Sequence, residues 1–141
     1  MTSNVTARRV QSVMLAADET VSWLLGLLLG VAMIGAAIAI IVVNNGASNG
    51  RIGPNPGMGI RTAATRSSPE AWEAAHRAAM PIMQFAAVVS LATGVVVLFL
   101  RSSPTLFWGV LLVGVALLAS LTVVGAILAD RAAKRVRDGA S

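Results

Sequence analysis

The chain has 141 residues, of which 56% are hydrophobic and only 12% charged, and it carries a formal net charge of +5. A soluble core of this size cannot enclose so much apolar surface, so the composition points to lipid rather than water as the main solvent. Cysteine is absent, which excludes disulfides, thiolate metal centres and cysteine nucleophiles.

Residues 7–21 place Val10, Val13, Met14, Ala17 and Val21 on one helical face. An amphipathic N-terminal segment, residues 1–22, is therefore expected to lie on the membrane or to lengthen the first span. Trp23 to Val43 then runs without a charge, as do Pro81 to Leu100 and Pro104 to Ala129. At ~1.5 Å per helical residue each stretch is long enough to cross ~30 Å of hydrocarbon. Lipid offers the backbone no hydrogen-bond partner, so such runs must be helical. The first is too long for a cleaved signal peptide, and Asp18 and Glu19 stand where a positive flank belongs, so it is read as an anchor that stays. The predicted fold class is an all-α integral membrane protein with three transmembrane helices, spans at about 23–43, 81–100 and 104–129, and a short interfacial helix in the long first loop.

Between the first two spans, Asn44 to Gly59 is dominated by Gly and Asn, which suit tight turns and read as a flexible connector. A nucleotide-binding loop is set aside, because no Gly-Lys-Ser/Thr is present and no strand precedes the glycines. A helix start follows: Ser68 is a natural N-cap, Pro69 suits the first position and Glu70 meets the positive end of the helix dipole. Trp72, His76, Ala79 and Met83 then share one face, toward headgroups or toward the protein, and Glu73 can pair with Arg77 at i,i+4. Pro81 is expected to kink or interrupt this helix where the second span begins. Small residues at four-residue spacing, Gly26 with Gly30 and Ala86 with Ser90 and Gly94, allow close helix approach, either within one chain or between two. The tail, residues 131–141, contains the basic run "RAAKRVR".

Lys and Arg in short flanks stay on the cytoplasmic side during insertion. With three spans, Arg8, Arg9 and Arg101 share one side; Arg51, Arg61, Arg66, Arg77, Arg131, Lys134, Arg135 and Arg137 share the other. Eight against three predicts the N-terminus outside, with the long loop and C-terminus cytoplasmic. Trp23 and Trp108 then both fall at the outer interface, where indoles concentrate.

Catalysis has little to work with. Gln84, Ser90, Thr93, Ser120 and Thr122 are the polar groups within the spans, and no ionisable side chain accompanies them, unlike most pumps and proton-coupled carriers. Glu73 and His76 form a Glu-x-x-His, half of the pair of motifs that a di-iron bundle needs, but no second histidine exists. No complete Ser/His/Asp set can be assembled. No enzyme activity, metal, cofactor, nucleic-acid site or small-molecule substrate is expected. Arg61 and Arg66 near the helix start suit a lipid phosphate or a partner's carboxylate equally well as positive-inside retention, and anionic headgroups are the expected lipid partners.

The order "GPNPGMGIRTAATRSSPEAWEAAHRAA" resembles the signature loop of the SdpI family of small bacterial membrane proteins. The matching positions are Asn55, Gly59, Arg61, Thr62, Thr65, Ser68, Trp72, His76 and Arg77, and with the third span the resemblance covers roughly residues 22–130. The departures are Ala63 and Ala64, where the family often has Pro and an aromatic, and Met80 where a Gly is common. Longer members carry additional N-terminal membrane helices. The resemblance implies a multi-pass protein of the bacterial plasma membrane acting in immunity to a secreted toxic peptide, or in signalling by holding a transcriptional repressor at the membrane. The loop is then the recognition element, for a toxin, a repressor or another protein in the membrane. From a different class, an accessory subunit of a larger membrane complex is the alternative.

Overall fold

A computed structural model describes residues 2–100 and 103–139, with the side chains of residues 2–7, 10 and 14–22 outside the description. Three helices account for the ordered elements: α1 (Thr2–Ser48), α2 (Pro69–Phe99) and α3 (Pro104–Gly139). No strand occurs among the described residues. All three helices are long and apolar enough to cross a membrane. The all-α membrane fold expected from the charge-free stretches is therefore the one observed.

The ends of the helices match one of the two alternatives at the N-terminus and differ from the sequence reading in two other places. α1 is continuous from Thr2, so the N-terminal segment lengthens the first helix. Of its expected apolar face, Val13 is exposed, while Val10, Met14, Ala17 and Val21 lie outside the described side chains. At its other end α1 continues through Asn44 to Ser48, where Gly and Asn suggested a connector. Tertiary packing overrides propensity there: a Cβ on Gly46 would lie 2.5 Å from Ile52 Cδ1, so this glycine is selected by a close contact rather than by flexibility. Gly50, at φ +76°, ends the helix in the left-handed conformation that glycine tolerates best. The expected short interfacial helix, finally, is the first part of α2, which passes through Pro81 without a break. Proline removes one backbone donor there, but the helix on both sides is held by packing against its neighbours.

α2 is the middle layer. It packs against both α1 and α3, while the backbones of those two stay more than 8 Å apart among the described residues. Small residues set the close crossings. A Cβ on Gly94 would lie 2.8 Å from the Gly30 carbonyl oxygen, and one on Gly30 would lie 2.6 Å from Leu98 Cδ2. Ser90 Oγ donates to the Met33 carbonyl at 2.7 Å, and Ala86 is fully buried. On the other side of α2, Gly114 sits against Thr93, and Gly125 would place a Cβ 2.8 Å from Met83 Sδ. The small-residue spacing is thus used for packing within the chain. Leu, Val, Ile and Phe point outward along all three helices, Phe99, Leu28 and Leu112 among them, as lipid requires. Trp23 and Trp108, both exposed, stand near the end of the bundle remote from the long loop.

Candidate functional site

At ~1.5 Å per residue the 31 residues of α2 exceed the ~30 Å hydrocarbon layer. We read the charge-free stretch from Pro81 onward as the crossing portion, which leaves the turns bearing Glu70, Glu73, His76 and Arg77 outside it. The loop, residues 49–68, folds back onto those turns.

Its anchor is a pair of buried rings. Trp72 and His76, one helical turn apart, are 0% and 1% exposed, so both face the protein and neither faces headgroups. Their centroids lie 4.3 Å apart at a tilt of 43°. The indole Nε1–H donates to the Ile52 carbonyl at 2.6 Å. His76 Nε2 accepts from the Ile60 N–H at 3.0 Å, and Nδ1 lies 2.9 Å from the Trp72 carbonyl. Those partners require one tautomer, with the proton on Nδ1 and Nε2 free to accept, and hence a neutral ring. Burial lowers the His76 pKa, and the Nδ1 bond to the Trp72 carbonyl opposes this only in part. Gly59, at φ +88°, rests on both rings: a Cβ there would stand 2.7 Å from His76 Nε2 and 3.0 Å from the indole edge. Position 59 therefore takes glycine for two independent reasons, backbone conformation and proximity.

The remaining signature residues shape the chain on either side. Asn55 Oδ1 accepts from Gly57 N–H at 2.9 Å and Met58 N–H at 2.7 Å, while its Nδ2 donates to the Gly53 carbonyl at 2.9 Å. This closes the Pro-Asn-Pro-Gly turn by side-chain mimicry of a backbone turn. Arg61 Nη1 donates to the Pro56 carbonyl across that turn. Thr62 and Thr65 bond reciprocally, backbone N–H to side-chain oxygen, at 2.9 and 3.1 Å, and the fully buried Thr65 hydroxyl also donates to the Ile60 carbonyl at 2.8 Å. Ser68 caps α2 by accepting from Ala71 N–H at 3.1 Å. Glu70 in the first turn is exposed, and bonds to its own backbone N–H and to Ser68 hold its pKa below the usual carboxylate value. Arg77 donates through Nε to the Ser48 carbonyl at 3.2 Å and pairs with Glu73 at 2.8 Å, tying the end of α1 to α2.

The nine signature residues thus meet at the loop and the first turns of α2, and the bonds their side chains make go to groups of the chain itself. The loop's outer face shares Arg61 with them and is otherwise made by other residues: Arg51, Met58, Arg61 and Arg66 are exposed at its surface. Beneath it, Ala64 packs into a tight cluster with Ala71, Ala75, Ala79 and Met83 of α2 and Ala129 and Ala133 of α3. Asp130 of α3 pairs with Lys134 at 2.7 Å, and Lys134 together with the Thr62 hydroxyl beside it holds the Asp130 pKa low. Sequence reading missed Ile52, whose carbonyl receives the indole, and Asp130, which lies beside Thr62 of the loop. Neither carries a local signal, because each acts through a contact between distant segments. The Glu-x-x-His pair does not converge on a common point, since both nitrogens of His76 face backbone groups and Glu73 faces Arg77. Among the described residues no group of three His, Asp or Glu could hold a metal ion.

A polytopic helical membrane protein with a loop clamped onto the extramembrane start of its central helix is the class these observations define. The family model described as the SdpI/YfhL protein family matches residues 51–128, which takes in the whole clamped segment from Arg51 onward, α2 and most of α3. The chain belongs to the SdpI/YfhL protein family, which is not a known enzyme family. The match is narrower than the resemblance over 22–130, since α1 lies outside it. No curated protein and no solved structure matches the chain.

Proposed function

We propose that this is a non-catalytic protein of the bacterial plasma membrane whose clamped loop presents a fixed cationic surface to a partner, in immunity to a membrane-active toxic peptide or in signalling through a captured regulator. The observation that carries this reading is that the signature side chains bond within the chain and so fix the loop. Side chains spent on holding a loop rigid make sense when the outer face must keep one shape, because preorganisation lowers the entropy lost on binding. Arg51, Arg61 and Arg66 supply charge for an acidic partner or anionic headgroups, and Met58 supplies an adaptable apolar contact. On this reading Trp72 and His76 act by positioning the loop, and Arg61 both braces the Pro56 turn and contributes to the surface.

Expression in a sensitive host under a panel of membrane-active peptides is the direct test. Protection that is lost in an Arg51→Ala/Arg66→Ala double variant supports the loop surface; unchanged sensitivity of the host with the wild-type chain removes the immunity reading. We further propose the N-terminus outside and the loop inside, from the cation asymmetry. Cysteine at the exposed Ser67 should resist an impermeant thiol reagent in intact cells, and cysteine at the exposed Ser12 should label. The opposite pattern reverses the orientation.

A second reading, accessory subunit of a larger complex, is favoured by one feature. Gly35 of α1 and Gly109 of α3 would each place a Cβ in open space, so these small residues are not used inside the chain. Gentle-detergent purification with mass spectrometry distinguishes the two: a stoichiometric large partner supports the subunit, and a lone chain removes it.

A further inference from the structure

Asn44 is only 5% exposed, yet neither its Oδ1 nor its Nδ2 has a hydrogen-bond partner among the described residues. A buried carboxamide in that state is unusual, because its desolvation is normally offset by a bond. It borders a recess of about 260 Å³ bounded by Ile40 and Val43 of α1, Met83 of α2 and Thr122 of α3, and roofed by Met58 to Ile60 of the loop. The other polar groups on its wall are already used: His76 bonds backbone through both nitrogens, and the Thr122 hydroxyl donates to the Leu118 carbonyl at 2.7 Å. The Asn44 carboxamide is the polar handle that remains.

Position decides what can reach it. Asn44 directly follows the charge-free Trp23–Val43 stretch and His76 precedes Pro81, so the roof lies at the hydrocarbon boundary while Ile40, Met83 and Thr122 lie within it. The separated backbones of α1 and α3 leave the recess open sideways, between the exposed Ala39 and Thr122. An occupant must enter from the bilayer, be mainly apolar and carry a hydrogen-bond acceptor where its apolar part ends. A helix of another protein, at ~10 Å across, meets the width requirement poorly. We propose that the recess holds one acyl chain of a bilayer glycerophospholipid, with its ester carbonyl accepting from Asn44 Nδ2–H and interfacial water donating to Oδ1. The recess shares only Met58 with the outer loop surface and does not depend on immunity or signalling.

The test uses the full chain in detergent, with native mass spectrometry after addition of phosphatidylglycerol in two forms, diester and diether, of equal chain length. The diether form lacks the carbonyl that Asn44 reads. Wild type should retain the diester form several-fold better, and Asn44→Leu, which keeps an apolar helix former in α1, should lose that preference. Ala39→Phe at the rim, on an exposed face where folding is undisturbed, should lower retention of both forms. Equal retention of the two lipids by wild type overturns the proposal. So does a preference that survives Asn44→Leu, retention unaffected by Ala39→Phe, or a second protein found in place of lipid.

Discussion

The clamped loop and the membrane-crossing bundle are held by opposite means. In the loop, residues 49–68, side chains bond backbone groups: Trp72 to Ile52, His76 to Ile60, Asn55 to Gly57 and Met58, Thr65 to Ile60. In the bundle, one inter-helix hydrogen bond among the described residues, Ser90 to Met33, accompanies close crossings at Gly30, Gly94, Gly114 and Gly125. The solvent explains the contrast. A loop beside water has little apolar area to bury and must satisfy each backbone group it hides, whereas lipid tails compete with nothing except shape, so helices associate where small residues let them approach. Polar changes should therefore damage the loop, and volume changes the bundle.

Gly59 is where both rules meet, and the largest effect is expected there. Gly59→Ala forces a left-handed residue, at about 1–2 kcal/mol, and pushes a Cβ against His76 Nε2, where overpacking adds about 1–3 kcal/mol. Limited proteolysis should then cut the loop while α2 and α3 remain protected. Gly94→Val comes next, at about 1–3 kcal/mol, because its Cβ meets the Gly30 carbonyl and the Ile34 backbone nitrogen, which cannot move aside as a side-chain tip can. Thermal unfolding in detergent should shift downward for this variant and stay level for Gly35→Ala, whose Cβ meets nothing within 4 Å. Equal tolerance at Gly94 and Gly35 breaks the distinction between packed and lipid-facing glycines.

Acid separates the two regions without mutation. His76 has its folded-state pKa lowered by burial, so the unfolded loop binds a proton more readily than the folded one. The stability this contributes is complete above the ordinary histidine value of about 6.5 and is lost as pH falls below it, by at most about 1.4 kcal/mol per pH unit for one proton. A protonated Nε2 cannot accept from the Ile60 N–H, so the loop should loosen first. With Trp23 and Trp108 replaced by Phe, emission from Trp72 should shift to the red between pH 7 and 5, while helicity is unchanged. Glu70 and Asp130, both with lowered pKa values, act only below the carboxylate value of about 4 and leave this window clear.

The bundle was legible in the sequence because its cause is local: runs free of charge longer than the bilayer is thick, and small residues at helical spacing. The Ser68 cap, the face shared by Trp72 and His76 and the Glu73–Arg77 pair could be read for the same reason, each being fixed within two turns of one helix. The clamp could not. Asn44, Gly46 and Gly50 read as a pliant connector because nothing in Asn-Asn-Gly reveals Ile52 lying over Gly46 or Glu73 lying 2.6 Å from where a Gly50 Cβ would be. Which side of Gly59 would face which ring depends on the loop folding back over more than a dozen residues, and periodicity carries no such information.

The smallest expected effect tests the membrane side of the contrast most sharply. Ser90 is fully buried, and among the described residues its hydroxyl makes the one side-chain bond between α1 and α2 in the crossing region, at 2.7 Å to the Met33 carbonyl. In water-soluble cores the loss of such a bond leaves a buried acceptor unsatisfied and is felt strongly. Here the Met33 carbonyl already accepts within α1 as a helix-interior carbonyl does, and measured inter-helix bonds in lipid average only about 0.6 kcal/mol. Ser90→Ala also removes a single oxygen and leaves the Gly30–Gly94 approach intact. It should therefore lower stability by about 0.6 kcal/mol, well below Gly94→Val, when both are followed by unfolding in mixed micelles. A Ser90→Ala variant as damaged as Gly94→Val would show that the bundle, like the loop, is held by its polar contact, and the division between the two regions would have to be abandoned.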